Sequence, residues 1–477
     1  MALDAHFDAI CRDLLREMGG RTWKGRQAAT AALADLLQGR RWDQLGPHIK
    51  EMWVMTLRVI DDVKESVRRT AALTARTLRG TSLRLMDAAQ TPPRDVRACC
   101  EALLPLMLET GLPSSVPEVR GLSLDVLTQA VRSAGPGPLA PLAPALAPGL
   151  LEALSGLEDV RLNYLEQHAQ RIGGDDAAGA LDSARLAAAR SSPLSDALDL
   201  LARCVASDPT GAAAMKLAPE LTGLVRRGVG LNTKAGTAHF ISSLAQRGAF
   251  SAPAPADKDA SDAPAAAGAA AAARSPVPQL LKALRSAVAA ERSAGVRKAY
   301  AAAAALVASR SGGEKRLSKF IADSVASYGA AAAGEEGDGG GGAGDEGQRL
   351  AGALLLRELM RASPDGFNRH ASEVGALGDL WESERRFSVL PVAFLGKMDE
   401  SADVAAAWRT VWEEGAPSEA AALRMHAKEL SSLVAGGLKA SSWGRKKACA
   451  EAPKIAASDH GALGLKRAPV QAPAASS

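Results

Sequence analysis

The sequence predicts an all-α protein assembled from stacked helix pairs, and three observations carry that prediction. Apolar residues recur at i, i+3 and i+4 almost everywhere outside three low-complexity stretches. No stretch alternates apolar and polar residues with period two for long enough to make a strand. Hydrophobic residues make up 47% of the 477, with alanine supplying much of that share, while aromatics are only 4%, a composition that favours helix.

The elements follow in order. Leu14, Leu15 and Met18 share a face of the first helix, and Leu33, Leu36 and Leu37 repeat the pattern after Trp23. Leu103, Leu104, Met107 and Leu108 form the next clear stripe, followed by Leu122, Val126 and Leu127 beyond the turn between Pro113 and Pro117. Such stripes mark amphipathic helices of about 12 to 18 residues joined by Gly, Pro or Ser turns.

A small signature recurs where the second helix of a pair begins. Val-Arg stands at Val67-Arg68, Val119-Arg120, Val160-Arg161 and Val296-Arg297, with weaker forms at Gly25-Arg26, Thr233-Lys234 and Gly444-Arg445. Five residues before each Val stand Asp62, Ser114, Ser155 and Glu291, three of which are good helix-capping types. From Arg26 to Arg68 to Arg120 to Arg161 the spacings are 42, 52 and 41 residues, close to the period of about 40 to 47 in HEAT or armadillo units. The expected fold is therefore an α-solenoid of HEAT/armadillo-like helix pairs with low-complexity loop insertions.

A cation at a helix start opposes the helix dipole, so its recurrence demands a tertiary partner. In stacked pairs an Asp in the turn of one repeat can face the Arg of the next, giving a ladder of charge-assisted hydrogen bonds. The residues expected in that structural ladder are Asp62, Arg68, Arg120, Arg161, Lys234, Arg297 and Arg445.

Two insertions interrupt the pattern. One is an Ala/Pro/Ser tract carrying Asp257, Lys258, Asp259 and Asp262; the other is Gly-rich and acidic, with Glu335, Glu336, Asp338, Asp345 and Glu346. The expected organisation is repeats over 1–249, a flexible insertion over 250–275, repeats over 276–328, the acidic insertion over 329–348, repeats over 349–457 and a low-complexity tail over 458–477.

Charge and motifs argue against several functions. The formal net charge is only +4, from 57 Lys and Arg against 53 Asp and Glu, which disfavours a basic nucleic-acid binder. The short basic runs Arg68-Arg69, Arg226-Arg227, Arg385-Arg386 and Arg445-Lys446-Lys447 lack interleaved aromatics, so they read as solvated faces or contacts to acidic partners. Prolines 136, 138, 141, 144 and 148 break the longest uncharged run, which cannot insert into a membrane.

Chemistry is equally sparse. The seven histidines are scattered singly, and neither HExxH nor GxxxxGK[ST] is present. Gly339, Gly341 and Gly344 fit GxGxxG only inside a poly-Gly tract. Cys11, Cys99, Cys100, Cys204 and Cys449 form an irregular set without CxxC, read as buried reduced thiols of a cytosolic or nuclear protein. A nucleophile at Cys99 or Cys100 lacks a neighbouring base in sequence. No catalytic, metal or cofactor site is expected.

Two segments exceed what a generic repeat needs. Residues 181–193 read as an Asp/Ser-capped helix stopping at a Ser-Ser-Pro turn, and residues 226–234 as a Gly-punctuated turn into a helix capped by Asn232 or Thr233. At these segments the chain resembles the family of large HEAT-repeat proteasome adaptor and scaffold proteins. The matching words are Leu162-Asn163-Tyr164-Leu165, residues 182–193, 228–234, 392–396 and 408–414 (Trp-Arg-Thr-Val-Trp-Glu-Glu), and Ser442-Trp443, with residues 61–68 and 23–40 also alike. Members of that family are several times longer, so the resemblance is to a C-terminal part, and an array cut from a longer one would expose an apolar end face. The insertions have no counterpart in the family.

The resemblance implies a non-enzymatic tether that binds the proteasome, bridges its core and regulatory particles, and assists its assembly, quality control or localisation in cytoplasm and nucleus. A nuclear-transport or trafficking solenoid is the alternative, since helical-repeat arrays look alike at this level.

Overall fold

The computed structural model describes residues 2–157, 174–251, 275–311, 313–331, 342–373, 389–416, 418–439 and 446–453. Every element among them is a helix or helical turn. Contacts divide the chain into two compact units, Met1–Leu284 with Ser293–Ala299, and Arg285–Arg292 with Tyr300–Ser477.

Unit 1 contains α1 (Phe7–Met18), α2 (Trp23–Leu36), α3 (Ile49–Ile60), α4 (Glu65–Leu85), α5 (Pro93–Leu106), α6 (Pro117–Ser133), α7 (Ala143–Ala153), α8 (Gly174–Arg190), α9 (Pro193–Ala206), α10 (Ala212–Arg227) and α11 (Leu231–Gln246). These helices begin where local chemistry sets them. Thr22 accepts from the Gly25 N–H at 3.3 Å, Ser192 accepts from the Ser195 N–H at 3.2 Å, and Pro93, Pro117 and Pro193 occupy first helical positions.

The packing gives two rows. α1, α3, α5, α7 and α10 follow one another in one row, and α2, α4, α6, α9 and α11 in the other. Across the rows the pairs are α1/α2, α3/α4, α5 with its continuation against α6, α7/α9 and α10/α11. Each helix buries one stripe; on α4 it is Val67, Ala71, Thr74, Ala75, Leu78, Ser82 and Leu85. Trp53 of α3 lies fully inside, its indole N–H donating to Ser82 Oγ at 3.0 Å.

The fourth pair departs from the expected rhythm. α7 is partnered by α9, so residues 154–192 intervene within one pair, and α8, which lies in that interval, packs against α11. The opening of a pair expected at Arg161 lies outside the described residues. After Pro105, which lacks an N–H, α5 widens into a π-helical turn over Met107–Gly111. That turn sets Gly111 against α6 so closely that a Cβ would sit 2.0 Å from Ser123 Oγ.

The exposed side of α1 presents Asp8, Arg12, Asp13, Arg16 and Glu17. α12 (Val277–Ala290) and α13 (Ala294–Arg310) carry the chain from unit 1 into unit 2.

Unit 2 holds α14 (Glu314–Ala331), α15 (Gly342–Ala362), α16 (Pro364–Glu373), α17 (Val389–Gly396), α18 (Ala402–Gly415) and α19 (Ala427–Gly437). α14 pairs with α15 and α17 with α18, with α14, α17 and α19 in one row and α15 and α18 in the other. Trp408 fills the joint between α15 and α18. It donates to the Arg349 carbonyl at 3.1 Å and meets Tyr328 edge-on with ring centres 5.2 Å apart. Helix reaches into both sides of the expected 329–348 insertion, since α14 ends at Ala331 and α15 starts at Gly342. The acidic residues Glu335, Glu336 and Asp338, and the tract holding Asp257 to Asp262, lie outside the described residues.

Candidate functional site: turn clamps and rungs of the array

The recurring cation at the start of the second helix has a local destination. Arg26 Nη1 donates to the carbonyls of Gly20 and Arg21 at 3.0 and 3.1 Å. Arg68 Nη1 does the same to Asp62 and Val63 at 2.7 and 3.0 Å, and Arg120 Nη1 to Ser114 and Ser115 at 2.8 and 3.0 Å. In each case the acceptors lie six and five residues earlier, in the turn that follows the preceding helix. The guanidinium is thus turned away from the positive end of its own helix and onto the carbonyl-rich end of the one before it. Arg316 repeats half of the device in unit 2, donating to the Ser311 carbonyl at 2.7 Å.

Arg26 has a second role. Its Nε and Nη2 grip Asp62 at 2.7 and 3.0 Å, and Asp62 also accepts from the Lys64 N–H at 2.8 Å. This bidentate bond joins the first helix pair to the second and, with the Lys64 N–H, holds the Asp62 carboxyl below the usual carboxylate range. The rung runs from the aspartate back to the arginine of the earlier pair. Arg68 and Arg120 clamp their own turns and form no such rung among the described residues. Ser114 takes the place of Asp62 in the third pair, its Oγ accepting from the Val116 N–H at 3.2 Å.

Unit 2 has a rung that no Val-Arg signature announces. Arg349 faces Asp399 with Nε and Nη2 at 3.2 and 3.3 Å, and Asp399 accepts from the Ser401 N–H at 3.0 Å. Asp399 stands three residues before α18 and Asp62 three before α4, with the same i+2 turn bond. Burial raises the Asp399 carboxyl pKa, against the pull of Ser401 and Arg349. Lys234 and Arg297 hold the corresponding places at the starts of α11 and α13, each half-buried; Arg161 and Arg445 lie outside the described residues.

Further bonds tie neighbouring pairs at repeat spacing. Thr74 Oγ1 donates to the Thr30 carbonyl at 2.8 Å, Arg84 to the Arg40 carbonyl at 2.5 Å, and Arg79 pairs with Asp125.

The two segments singled out in the sequence meet in space. Leu186, Ala189 and Arg190 of α8 line a cavity with Asn232, Gly236 and Phe240 of α11; it encloses about 20 Å³, room for one water. Ser293 Oγ donates to Asp182 Oδ2 at 2.9 Å, fixing α8 to the turn before α13. Neither Asn232 nor Thr233 caps α11. Gly230, at φ +87°, turns the chain so that the helix starts at Leu231, and both side chains are swallowed with Asn232 Oδ1 and Thr233 Oγ1 unpaired. Residues 181–190 likewise lie inside a helix that already runs from Gly174, and only its stop at Ser191-Ser192-Pro193 follows expectation.

The thiols are poorly suited to attack. Burial pushes the Cys11 thiol up to about 11 and Cys100 up to about 12, and Cys99 is raised further still. His48 bonds Asp8 at 2.9 Å and His426 bonds Glu429 at 2.8 Å. Among the described residues no three His, Cys, Asp or Glu side chains gather as a metal site, and no helix is long and apolar enough to cross a membrane.

Comparison with known proteins adds a direction. Residues 139–329 match the family model described as the HEAT-repeat domain of the proteasome adapter and scaffold protein ECM29. The human "Proteasome adapter and scaffold protein ECM29" is 32% identical over 453 residues, which is 93% of this chain and 21% of that protein. The "Proteasome component ECM29" of Saccharomyces cerevisiae is 28% identical over 203 residues, 42% of this chain and 11% of that protein. The chain therefore spans about a fifth of the length of its human relative. Among solved structures, importin beta aligns with 95% of this chain and 58% of that one at 10% identity, with a TM-score of 0.27 that carries no argument.

Proposed function

We propose, for a chain that resembles the ECM29 proteasome adapter and scaffold proteins over nearly its whole length, that it is a non-enzymatic scaffold that binds the proteasome. The observation that carries this reading is the match over 93% of the chain to a protein of that name. The two rows of helices within unit 1 support it, because stacked repeats offer long surfaces to partners without needing a catalytic pocket. On this reading the chain contacts core and regulatory particles, holds them together, serves their assembly, quality control or localisation, and works in cytoplasm and nucleus.

The test is sedimentation of the tagged full chain with intact proteasomes on a native gradient. Co-migration is expected. A chain found only in light fractions while proteasomes run intact would sink the proposal, and recovery with a small GTPase and transport cargo instead would favour a transport solenoid.

A further inference from the structure

The net charge of the chain is unevenly placed. α2, α4 and α6 are consecutive in one row and together carry nine Lys and Arg against four Asp and Glu, more than the whole chain's excess of four. Most of it sits on α4, which has five arginines and one glutamate. Arg68, Arg79 and Arg84 are spent on turn carbonyls, on Asp125 and on the Arg40 carbonyl. Arg69 and Arg76 point to solvent. The first has only an exposed i,i+4 pair with Glu65, and no carboxylate among the described residues lies within ion-pair distance of the second.

Between them, one turn from each, Leu73 stands 60% exposed. A single exposed leucine is ordinary. A leucine flanked by Arg76, which has no ion pair among the described residues, and by Arg69, which is paired only with the exposed Glu65, is a short amphipathic stripe. On the two flanking helices of the row, Ala28 and Ala31 are exposed on α2, and Gly121 is exposed on α6 with open space where a side chain would stand, while Glu118 and Arg120 of α6 are exposed as well.

We infer that the outward face of α4, centred on Arg69, Leu73 and Arg76, is a docking surface for an acidic amphipathic helix of a partner protein. Charge complementarity selects the occupant, since cations in excess steer and hold carboxylates. The exposed Leu73 suits an apolar stripe at i, i+3, i+4 spacing. A nucleic acid would meet a leucine and no aromatic side chain on which a base could stack.

The test uses the full chain and a fluorescein-labelled peptide of about 18 residues, five helical turns, with Leu along one face and Glu elsewhere. Fluorescence anisotropy at two salt concentrations should show binding that weakens as salt rises. The Arg69→Glu/Arg76→Glu double variant should lose about tenfold or more in affinity, as two attractive contacts become repulsive. Leu73→Ser should lose several-fold at the higher salt. Arg12→Glu/Arg16→Glu, the same charge change on the exposed side of α1, should leave affinity unchanged, and far-UV circular dichroism of all variants should match the parent. No binding by the parent chain, equal loss in the α1 variant, an unaffected α4 double variant, or tighter binding of an oligo-dT strand than of the peptide would each overturn the inference. None of these outcomes depends on whether the chain binds proteasomes.

Discussion

At the scale of the residue, the Arg near the start of the second helix in each of the first three pairs bonds backbone carbonyls of the adjoining turn, and this explains why it recurs there. A bond between positions i and i−6 is local, so its trace was visible as Val-Arg at Arg68 and Arg120. The Arg349–Asp399 rung was not visible, because its partners are 50 residues apart and Arg349 follows a Gly-rich tract instead of a Val. Both rungs are largely buried. Arg349 and Asp399 are 11% and 6% exposed, so Asp399→Ala should cost about 3 kcal/mol by removing the nearer and more buried carboxylate from a guanidinium left with the exposed Glu400, read as a lower denaturation midpoint. Asp62→Asn should show a pH signature instead. The depressed pKa of Asp62 stabilises the fold above its unfolded value near 4, and that contribution is lost as pH falls through the lower folded value. The stability gap between parent and Asp62→Asn should therefore close on acidification, in denaturant titrations at stepped pH; a gap that is constant with pH would contradict the ion-pair account. Tyr300 gives the opposite sign. Its hydroxyl is buried without a partner, so Tyr300→Phe should leave the thermal midpoint unchanged or raise it.

At the scale of the element, helix existence was legible from apolar spacing, while pairing was not always so. α9 became the partner of α7 across residues 154–192, and nothing in the periodicity of either helix records which neighbour it will meet. Asn232 and Thr233 were read as caps from their type alone. The left-handed Gly230 overrode that preference by starting the helix earlier. Two helix glycines separate packing from propensity. A Cβ on Gly396 would lie 2.4 Å from Trp408 Cγ, so Gly396→Ala should destabilise by about 1–3 kcal/mol through overpacking. Gly80 of α4 faces open space, and Gly80→Ala should stabilise by about 0.5–1 kcal/mol. Equal signs in a thermal melt of the two variants would show that the helix contacts at Trp408 are misplaced.

At the scale of the whole molecule, the sequence supplied the solenoid class and the family resemblance, both of which rest on many weak signals added together. It could not supply the contact surface, because exposed residues on a repeat array carry no periodic signature of their own; the uneven charge of α4 emerges only once α2, α4 and α6 are known to be neighbours in one row. The proposed scaffold role is tested through its partners. The most direct measurement is the binding of purified intact proteasomes to the immobilised purified chain, followed by interferometry. The account predicts saturable binding that soluble chain competes away. Proteasomes that fail to bind a folded, helical chain at any concentration tested would contradict it.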